Sequence, residues 1–406
     1  MSELLAPSRA LELVLDAAHR LDGERVPLEQ ALDRTLAGAI HSKRDVPGFD
    51  NSAMDGFALR AADTAAADRS RPVELEIVDE SRAGSPAARE VGPGQAIRIS
   101  TGAMVPAAAD AVVRVEDTSS QNGLVSVRAR IEPGRDIRRA GEDVRAGELV
   151  LADGALLGPA ELGVAASVGA AELDCTRRPR LACLVTGDEL APPGDPLGPG
   201  QIGNTNAICL PAQGRRAGAE LTLVETVGDD REATVEAIGR ALDSDVVAIT
   251  GGVSVGPHDH VKPALAELGV KERFWGVALR PGKPTWFGVA DSGALVFGLP
   301  GNPVSAMVTF HLFVEPALAR LCGCDQRGAR VVAAIDVDYR KAPGRMHVVR
   351  CRLQSKEDGF HVRPTKAQGS HVLTSMLGAD AFAYLEIERG DVSAGEYVEI
   401  ELVDYP

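Results

Sequence analysis

The chain has 406 residues, a formal net charge of −15, 45% hydrophobic residues and 25% charged ones. That length exceeds what one hydrophobic core serves, and the composition is that of a folded globular protein, so several domains are expected and a disordered chain is excluded. The negative field argues against nucleic acid and anionic membranes as partners, while a small anion remains admissible where local cations or Mg²⁺ reverse the sign within a cleft.

The chain begins with an acidic amphipathic segment in which Leu11, Val14, Leu15, Ala18 and Leu21 follow helical spacing and Ser8 is placed to cap the helix. It lacks the basic start of a signal peptide, and no apolar run is expected to reach the ~18 residues of a membrane span; the reading is a soluble cytoplasmic protein. A second short helix is expected after Val26-Pro27, carrying Leu28, Ala31 and Leu32. Residues 45–59, DVPGFDNSAMDGFAL, read as a loop. From about 72 to 150, VELEIVDE, QAIRIST, AVVRVED and LVSVRARI alternate and are broken by Gly and Pro, which is a β-rich pattern.

From Arg178 strands alternate with helices. PRLACLVTG precedes a helix near 205–217, LTLVETV a helix near 232–242, and DVVAITGG a helix over 261–268. Two strands lie in FWGVALRPGKPTWFGVA, and ALVFGLPGN leads to a helix over 304–321. This grammar implies a mostly parallel sheet with helices on both faces. The remainder returns to strands, VVAAIDVDY, MHVVRCRLQ, AYLEIER and EYVEIELV, as a small C-terminal β-barrel domain. The fold class is therefore multidomain, α/β plus β. Expected domains are a helical and linker domain (1–50 and 140–177), a β-rich domain (51–139), the α/β domain (178–325) and the C-terminal domain (326–406).

In an open α/β sheet, ligands bind outside the carboxyl ends of the strands. Those ends carry Thr186-Gly187-Asp188-Glu189, then Gly228-Asp229-Asp230, then Gly251-Gly252-Val253-Ser254-Val255-Gly256-Pro257-His258-Asp259, and last Pro300-Gly301-Asn302-Pro303. Carboxylates gathered at one edge repel one another unless a cation lies between them, and Mg²⁺ with phosphate partners suits such oxygens. The alternative is helix capping by Asp188 and Asp229. The glycines of TGG and LPGN either expose amides to an anion or simply form tight turns. Ser305 either offers its hydroxyl to a phosphate or caps the next helix. Arg280 and Lys283 on a Pro-Gly frame suit a phosphate or molybdate oxyanion, or else mark an exposed hairpin tip. His258 and His260 flank Asp259 without a third soft ligand, and Cys322-Gly-Cys324 lacks zinc-ribbon spacing. No P-loop is present.

PGFDNSAMDGFAL, RISTGAMVP followed by DAVVRVED, IRRAGEDV, VTGDEL, TGGVSVGPHD, RPGKP and GLPGNPVS, in this order, resemble the MoeA family, whose members include the molybdenum-inserting domain of gephyrin. GRMHVVR and QGSH extend the resemblance into the last domain. The resemblance implies an elongated homodimer of four domains, with an α/β domain like that of molybdopterin adenylyltransferases. It also implies Mg²⁺-dependent cleavage of adenylyl-molybdopterin, coupled to molybdate insertion at the dithiolene and AMP release.

By matching position it assigns Asp55, Thr101, Asp143, Glu189, Asp229 and Asp259 to the active cleft, with Glu189, Asp229 and Asp259 holding Mg²⁺. Substrate would be bound by Gly251, Gly252, Ser254, Arg280, Lys283, Pro300, Asn302, Pro303, Ser305, Arg345 or Arg350, and Ser370 or Ser375. A molybdopterin adenylyltransferase and client molybdoenzymes are the implied protein partners. Asn204 departs from the family's usual acidic residue and is expected to weaken one polar contact; His347 and Val348 stand where the family is often aromatic. A non-catalytic molybdopterin-binding scaffold is the competing reading, against which the retained carboxylates and cations argue. The choice between molybdenum and tungsten stays open, since both oxyanions share shape and charge.

Overall fold

A computed structural model describes residues 4–252, 259–324, 330–365 and 367–403. The chain forms two compact units, one of Arg25–Leu32 and Gly38–Leu173, the other of Met1–Glu24, Asp33–Ala37 and Asp174–Pro406. Helix α1, Pro7–Ala17, belongs to the latter, larger unit and buries Pro7, Ala10 and Val14. It starts one residue before the expected cap: Ala6 is the N-cap, no side chain caps it, and Ser8 lies within the first turn. Pro7 needs no amide partner there, which is why the helix begins on it.

The smaller unit is built on a six-stranded sheet of β1 (Gly56–Leu59), β2 (Val73–Ser81), β3 (Gln95–Ile99), β4 (Ala111–Arg114), β5 (Thr118–Gln121) and β6 (Leu124–Val127). Their order is β4-β1-β3-β2-β6-β5, antiparallel except for β2 with β3. Alternation puts Phe57, Leu59, Leu75, Val113, Val125 and Val127 in one core and Ala58, Ile99 and Val112 in another on the opposite face. Helix α2, Pro159–Ser167, is the one long enough to count as regular α-helix among this unit's described residues. The second N-terminal helix expected after Pro27 is only a single 3₁₀ turn, Leu28–Gln30, too short to present an apolar face.

The larger unit contains a sheet of β7 (Arg180–Thr186), β8 (Glu220–Val227), β9 (Val246–Thr250), β10 (Lys271–Trp275), β12 (Trp286–Val289) and β13 (Leu295–Leu299), with the short β11 (Leu279–Arg280) outside it. The order is β8-β7-β9-β13-β12-β10; the first four are parallel and the last two antiparallel. Strands buried along their whole length, such as VVAIT, are what two covered faces demand. One face packs Leu181, Cys183, Val246, Ala248 and Phe297 against α1, α3 (Asn206–Arg216), α6 (Pro303–Thr309) and α7 (Glu315–Leu321). The other packs Ala182, Leu184, Val247, Ile249 and Val296 against α4 (Arg231–Ala241) and α5 (Val261–Glu267).

Between α6 and α7 the helix runs through a π-helical segment, Phe310–Val314. The whole 303–321 stretch is 19 residues, long and apolar enough to cross a membrane, although His311, Glu315 and Arg320 hid that in an uninterrupted-run count. Here 67% of its span is buried inside the unit.

The last strands are β14 (Arg330–Ile335), β15 (Met346–Lys356), β16 (Gly359–Pro364), β17 (Ala381–Leu385) and β18 (Tyr397–Leu402). They run β15-β16-β14-β18-β17, and β17 pairs back to β15, closing a five-stranded barrel around Val349, Cys351, Val362, Ala383 and Ile400. β11 adds to this barrel in parallel with β15, with Leu279 opposite Met346 and Arg280 opposite His347.

Candidate active site

Because β7, β8, β9 and β13 are parallel and in register, the segments after Thr186, Val227, Thr250 and Leu299 leave one edge of the sheet together. Asp188 ties two of them: its Oδ1 accepts the Asp229 N–H at 2.9 Å. Neither Asp188 nor Asp229 caps a helix. That role falls to Asp230, whose carboxylate accepts the Ala233 N–H at 2.8 Å at the start of α4. Asp188 and Asp229 are thereby released from the capping reading, and Asp229 is exposed. The Glu189 carboxylate folds back over Gly187, where a Cβ would lie 2.5 Å from its Oε2.

Gly251 and Gly252 both have positive φ, +84° and +59°. A Cβ on Gly251 would lie 2.5 Å from the Thr186 carbonyl oxygen, so this turn lies flat against the end of β7. A Cβ on Gly301 would meet the Gly251 Cα at 3.8 Å, so the two glycine turns are neighbours. Asn206 joins them: its Nδ2 donates to the Gly301 carbonyl at 2.8 Å and to Thr250 Oγ1 at 3.3 Å. Asn302 Nδ2 donates to Ser370 Oγ at 3.1 Å, and the Val304 N–H, just after Pro303, donates to the Ser370 carbonyl at 3.2 Å. Ser370 of the barrel region thus stands at the Pro300–Pro303 loop. Ser305 lies behind this surface at 4% exposure, and no side chain caps α6, so the capping reading for it falls. Asp259 is half-buried; Ser254 and His258 lie outside the described residues.

The RPGKP turn is no free hairpin tip. Gly282 has φ +115°, and a Cβ there would come within 2.4 Å of Thr309 Cγ2 on α6. The Lys283 carbonyl accepts the Val277 N–H at 2.9 Å, and the Thr285 hydroxyl donates to the Gly282 carbonyl at 2.7 Å. Pro281 and Gly282 are buried while Arg280 and Lys283 are exposed, so a fixed frame presents two cations to solvent. Arg345 is half-buried. Arg350 is 1% exposed; its guanidinium donates to Ser375 Oγ at 3.1 Å and the Gly369 carbonyl at 3.3 Å, behind Ser370. Burial lowers the Arg350 pKa from its usual value. Of the alternatives, Arg350 and Ser375 brace the loop, whereas Ser370 stands at the glycine turns.

In the smaller unit, Asp55 Oδ1 accepts the Thr101 N–H at 2.7 Å, and both residues are exposed. Gly56 makes this possible: a Cβ there would lie 1.9 Å from the Val113 carbonyl oxygen, so only glycine lets β1 run this close to β4. Asp143 lies on a loop laced to residues 45–50. Its N–H donates to the Val46 carbonyl at 3.1 Å, and Asp50 accepts the Ala140 N–H at 2.8 Å and the Arg139 guanidinium at 2.6 Å. The Ala140 amide and then Arg139 hold the Asp50 carboxyl below its ordinary pKa, against the effect of burial.

Among the described residues no three His, Cys, Asp or Glu side chains converge as a ready-made metal cage. Glu189, Asp229 and Asp259 follow successive parallel strands in the sequence and would offer only oxygen donors. That donor set fits a hard cation completed by water and phosphate oxygens, not a transition metal held by protein alone. Asn204 is held within the fold. It is 3% exposed, its Nδ2 donates to Thr226 Oγ1 at 2.9 Å, and its Oδ1 accepts the Ala207 N–H at 3.1 Å. Sequence reasoning missed Asn206 as the link between the two glycine turns, because a lone Asn carries no spacing signal.

Residues 182–320 match the model of a probable molybdopterin binding domain, which places the sheet edge in a known class of molybdenum cofactor biosynthesis proteins. Residues 5–169 match the MoeA N-terminal region (domains I and II), and residues 332–403 the MoeA C-terminal region (domain IV). A molybdopterin molybdenumtransferase of Haemophilus influenzae is 39% identical over 383 residues, covering 93% of each chain. Molybdopterin molybdenumtransferase 2 of Mycobacterium tuberculosis is 42% identical over 304 residues, 73% of this chain and 75% of that one. The crystal structure of a molybdopterin biosynthesis MoeA protein from Pyrococcus horikoshii superposes with TM-score 0.85 at 32% identity, covering 99% of this chain and 100% of the other. The chain belongs to the MoeA family, the molybdopterin molybdenumtransferases, and is a transferase of molybdenum cofactor biosynthesis.

Proposed function

We propose that the protein inserts molybdate into adenylyl-molybdopterin, with Mg²⁺-dependent release of AMP. The observation that carries this reading is the single sheet edge where the segments after Thr186, Val227, Thr250 and Leu299 emerge together, with Ser370 beside Asn302. Glu189, Asp229 and Asp259 would hold Mg²⁺, which neutralises charge on the pyrophosphate oxygens. Backbone amides of Gly251, Gly252 and the Pro300–Pro303 turn bind phosphate, and positive φ at both TGG glycines lets the chain approach it closely. Arg280 and Lys283 hold the molybdate dianion on a frame that does not reorganise on binding, which is where preorganised cations act best. For Asp55, Thr101 and Asp143 of the smaller unit we propose a role in the same reaction.

The proposal includes the four domains with the bounds given above, a homodimer, a cytoplasmic location, and exchange with an adenylyltransferase and client molybdoenzymes. The test is AMP release from adenylyl-molybdopterin with and without Mg²⁺ and molybdate. Release that needs both, together with active cofactor, supports the reading. Tight substrate binding without AMP would instead make the protein a carrier.

A further inference from the structure

His347 lies beside this site without a role. It is 4% exposed, and its Nδ1 has no hydrogen-bond partner, one of few buried side-chain polar atoms in that state among the described residues. Such an atom costs stability unless something else compensates it. Strand alternation puts His347 on the face of β15 shared by Val349 and Cys351, which line the barrel interior, so its ring stands at one mouth of the barrel. Its partner across the parallel β11 ladder is Arg280; across the antiparallel ladder to β17 it is Leu385. The Tyr339 ring meets the imidazole edge-on, centroids 6.1 Å apart at 89°.

The charged groups facing it have one sign. Arg280 comes from β11, Arg345 from the bend just before its own strand, and Lys341 from the segment after Tyr339. Lys341 is itself buried, donating to the Ile387 carbonyl at 3.2 Å, and the carboxylates Glu386 and Glu388 act on it. The Tyr339 phenol, pushed up by burial, stays neutral. Burial first, and then Arg280, Lys341 and Arg345, lower the His347 pKa to about 4. At neutral pH the imidazole is uncharged and Nδ1 unmatched.

We propose that His347 completes the oxyanion site: when a tetrahedral dianion enters beside Arg280, Nδ1 takes up a proton from solvent and donates that N–H to the anion. This rests on the assignment of Arg280 and Lys283 to the oxyanion. The dianion offsets the cationic field that adds to burial in keeping the imidazole neutral, and supplies the acceptor that Nδ1 lacks. A monoanion cancels less of the field, so the device favours doubly charged oxyanions over singly charged ones.

The test is calorimetric titration of molybdate alone into the full-length protein. It uses paired buffers of different ionisation heat, over the pH range in which the anion stays doubly charged. Wild type should take up protons on binding, and affinity should weaken by up to about tenfold per pH unit as pH rises. His347→Phe, which keeps a ring against Tyr339, and His347→Gln should bind with no uptake and a flat pH dependence. Wild-type binding without proton uptake, or the same slope in both variants, overturns the role of His347. Arg280→Ala separates the two claims. If it abolishes binding while wild type takes up no proton, only the His347 role falls; if it binds like wild type, the oxyanion assignment falls and the inference with it.

Discussion

Gly251→Ala probes the glycine turn most directly. The residue has φ +84°, where an alanine costs roughly 1–2 kcal/mol. Its Cβ would also lie 2.5 Å from the Thr186 carbonyl oxygen and 2.6 Å from Thr186 Oγ1. The first of these is backbone at the end of the central β7 strand and cannot swing aside, so overpacking adds about 1–3 kcal/mol. Together they predict a loss of about 2–5 kcal/mol, or roughly 5–15 °C in Tm for a unit of this size. The turn must shift away from β7, and AMP release should fall further than the lost stability explains. Gly301→Ala is the control. Its Cβ would meet the Gly251 Cα at 3.8 Å, an ordinary contact, and its Tm should stay within about 1–2 °C of wild type. Calorimetry paired with AMP release on both variants decides the matter: a Gly251→Ala protein that melts like wild type would show that the turn does not lie against Thr186 as described.

Asp259→Asn and Lys283→Ala should each abolish AMP release while leaving Tm unchanged; full turnover in either variant removes that residue from the site. His311 is held by Glu315 at 2.7 Å and Glu401 at 3.4 Å, and although burial opposes its charge, these carboxylates raise its pKa to about 10. A raised pKa gives stability that is full below the unfolded value and lost as pH rises through the folded one. Melting curves from about pH 6.5 to about 10 should therefore fall for wild type and less steeply for His311→Gln; parallel curves would dismiss the network. Asp245 accepts both Arg177 guanidinium nitrogens at 2.7 and 2.8 Å and the Arg180 N–H at 2.7 Å. Asp245→Ala should cost about 2–3 kcal/mol by urea unfolding, since it strands a half-buried cation and an amide.

The sheet was legible because VVAIT and LVFGL are almost entirely apolar and spaced by amphipathic helices. The ligand edge followed from strand direction alone. What stayed hidden is non-local. Asn206 reaches partners 44 and 95 residues away, and neither separation leaves a mark in the sequence. Strand β16 was missed because GFHVRP carries mostly polar or exposed residues, although Asp358-Gly359 marks its turn. The RPGKP cations were visible, but not that Gly282 is pinned against Thr309, since a tight turn and a wedged turn share the same residues. Asp230, not its neighbour Asp229, caps α4, because both are short acids just before the helix and only the chain's path decides which one meets the α4 amides.

Strand β11 carries a consequence for anyone who cuts or exchanges parts of this protein. Its residues fall within the α/β stretch of the chain, yet they hydrogen-bond to β15 of the barrel. A fragment ending before β14 would keep Leu279 and Arg280 but leave their ladder open, exposing a bare strand edge of the kind that recruits other chains. A graft of the barrel from a relative would likewise need the donor's version of the Leu279–Arg280 strand. The smallest portion that can be swapped cleanly is therefore discontinuous: the last five strands together with a few residues some fifty positions upstream, a splice that a boundary drawn between α7 and β14 would not reveal.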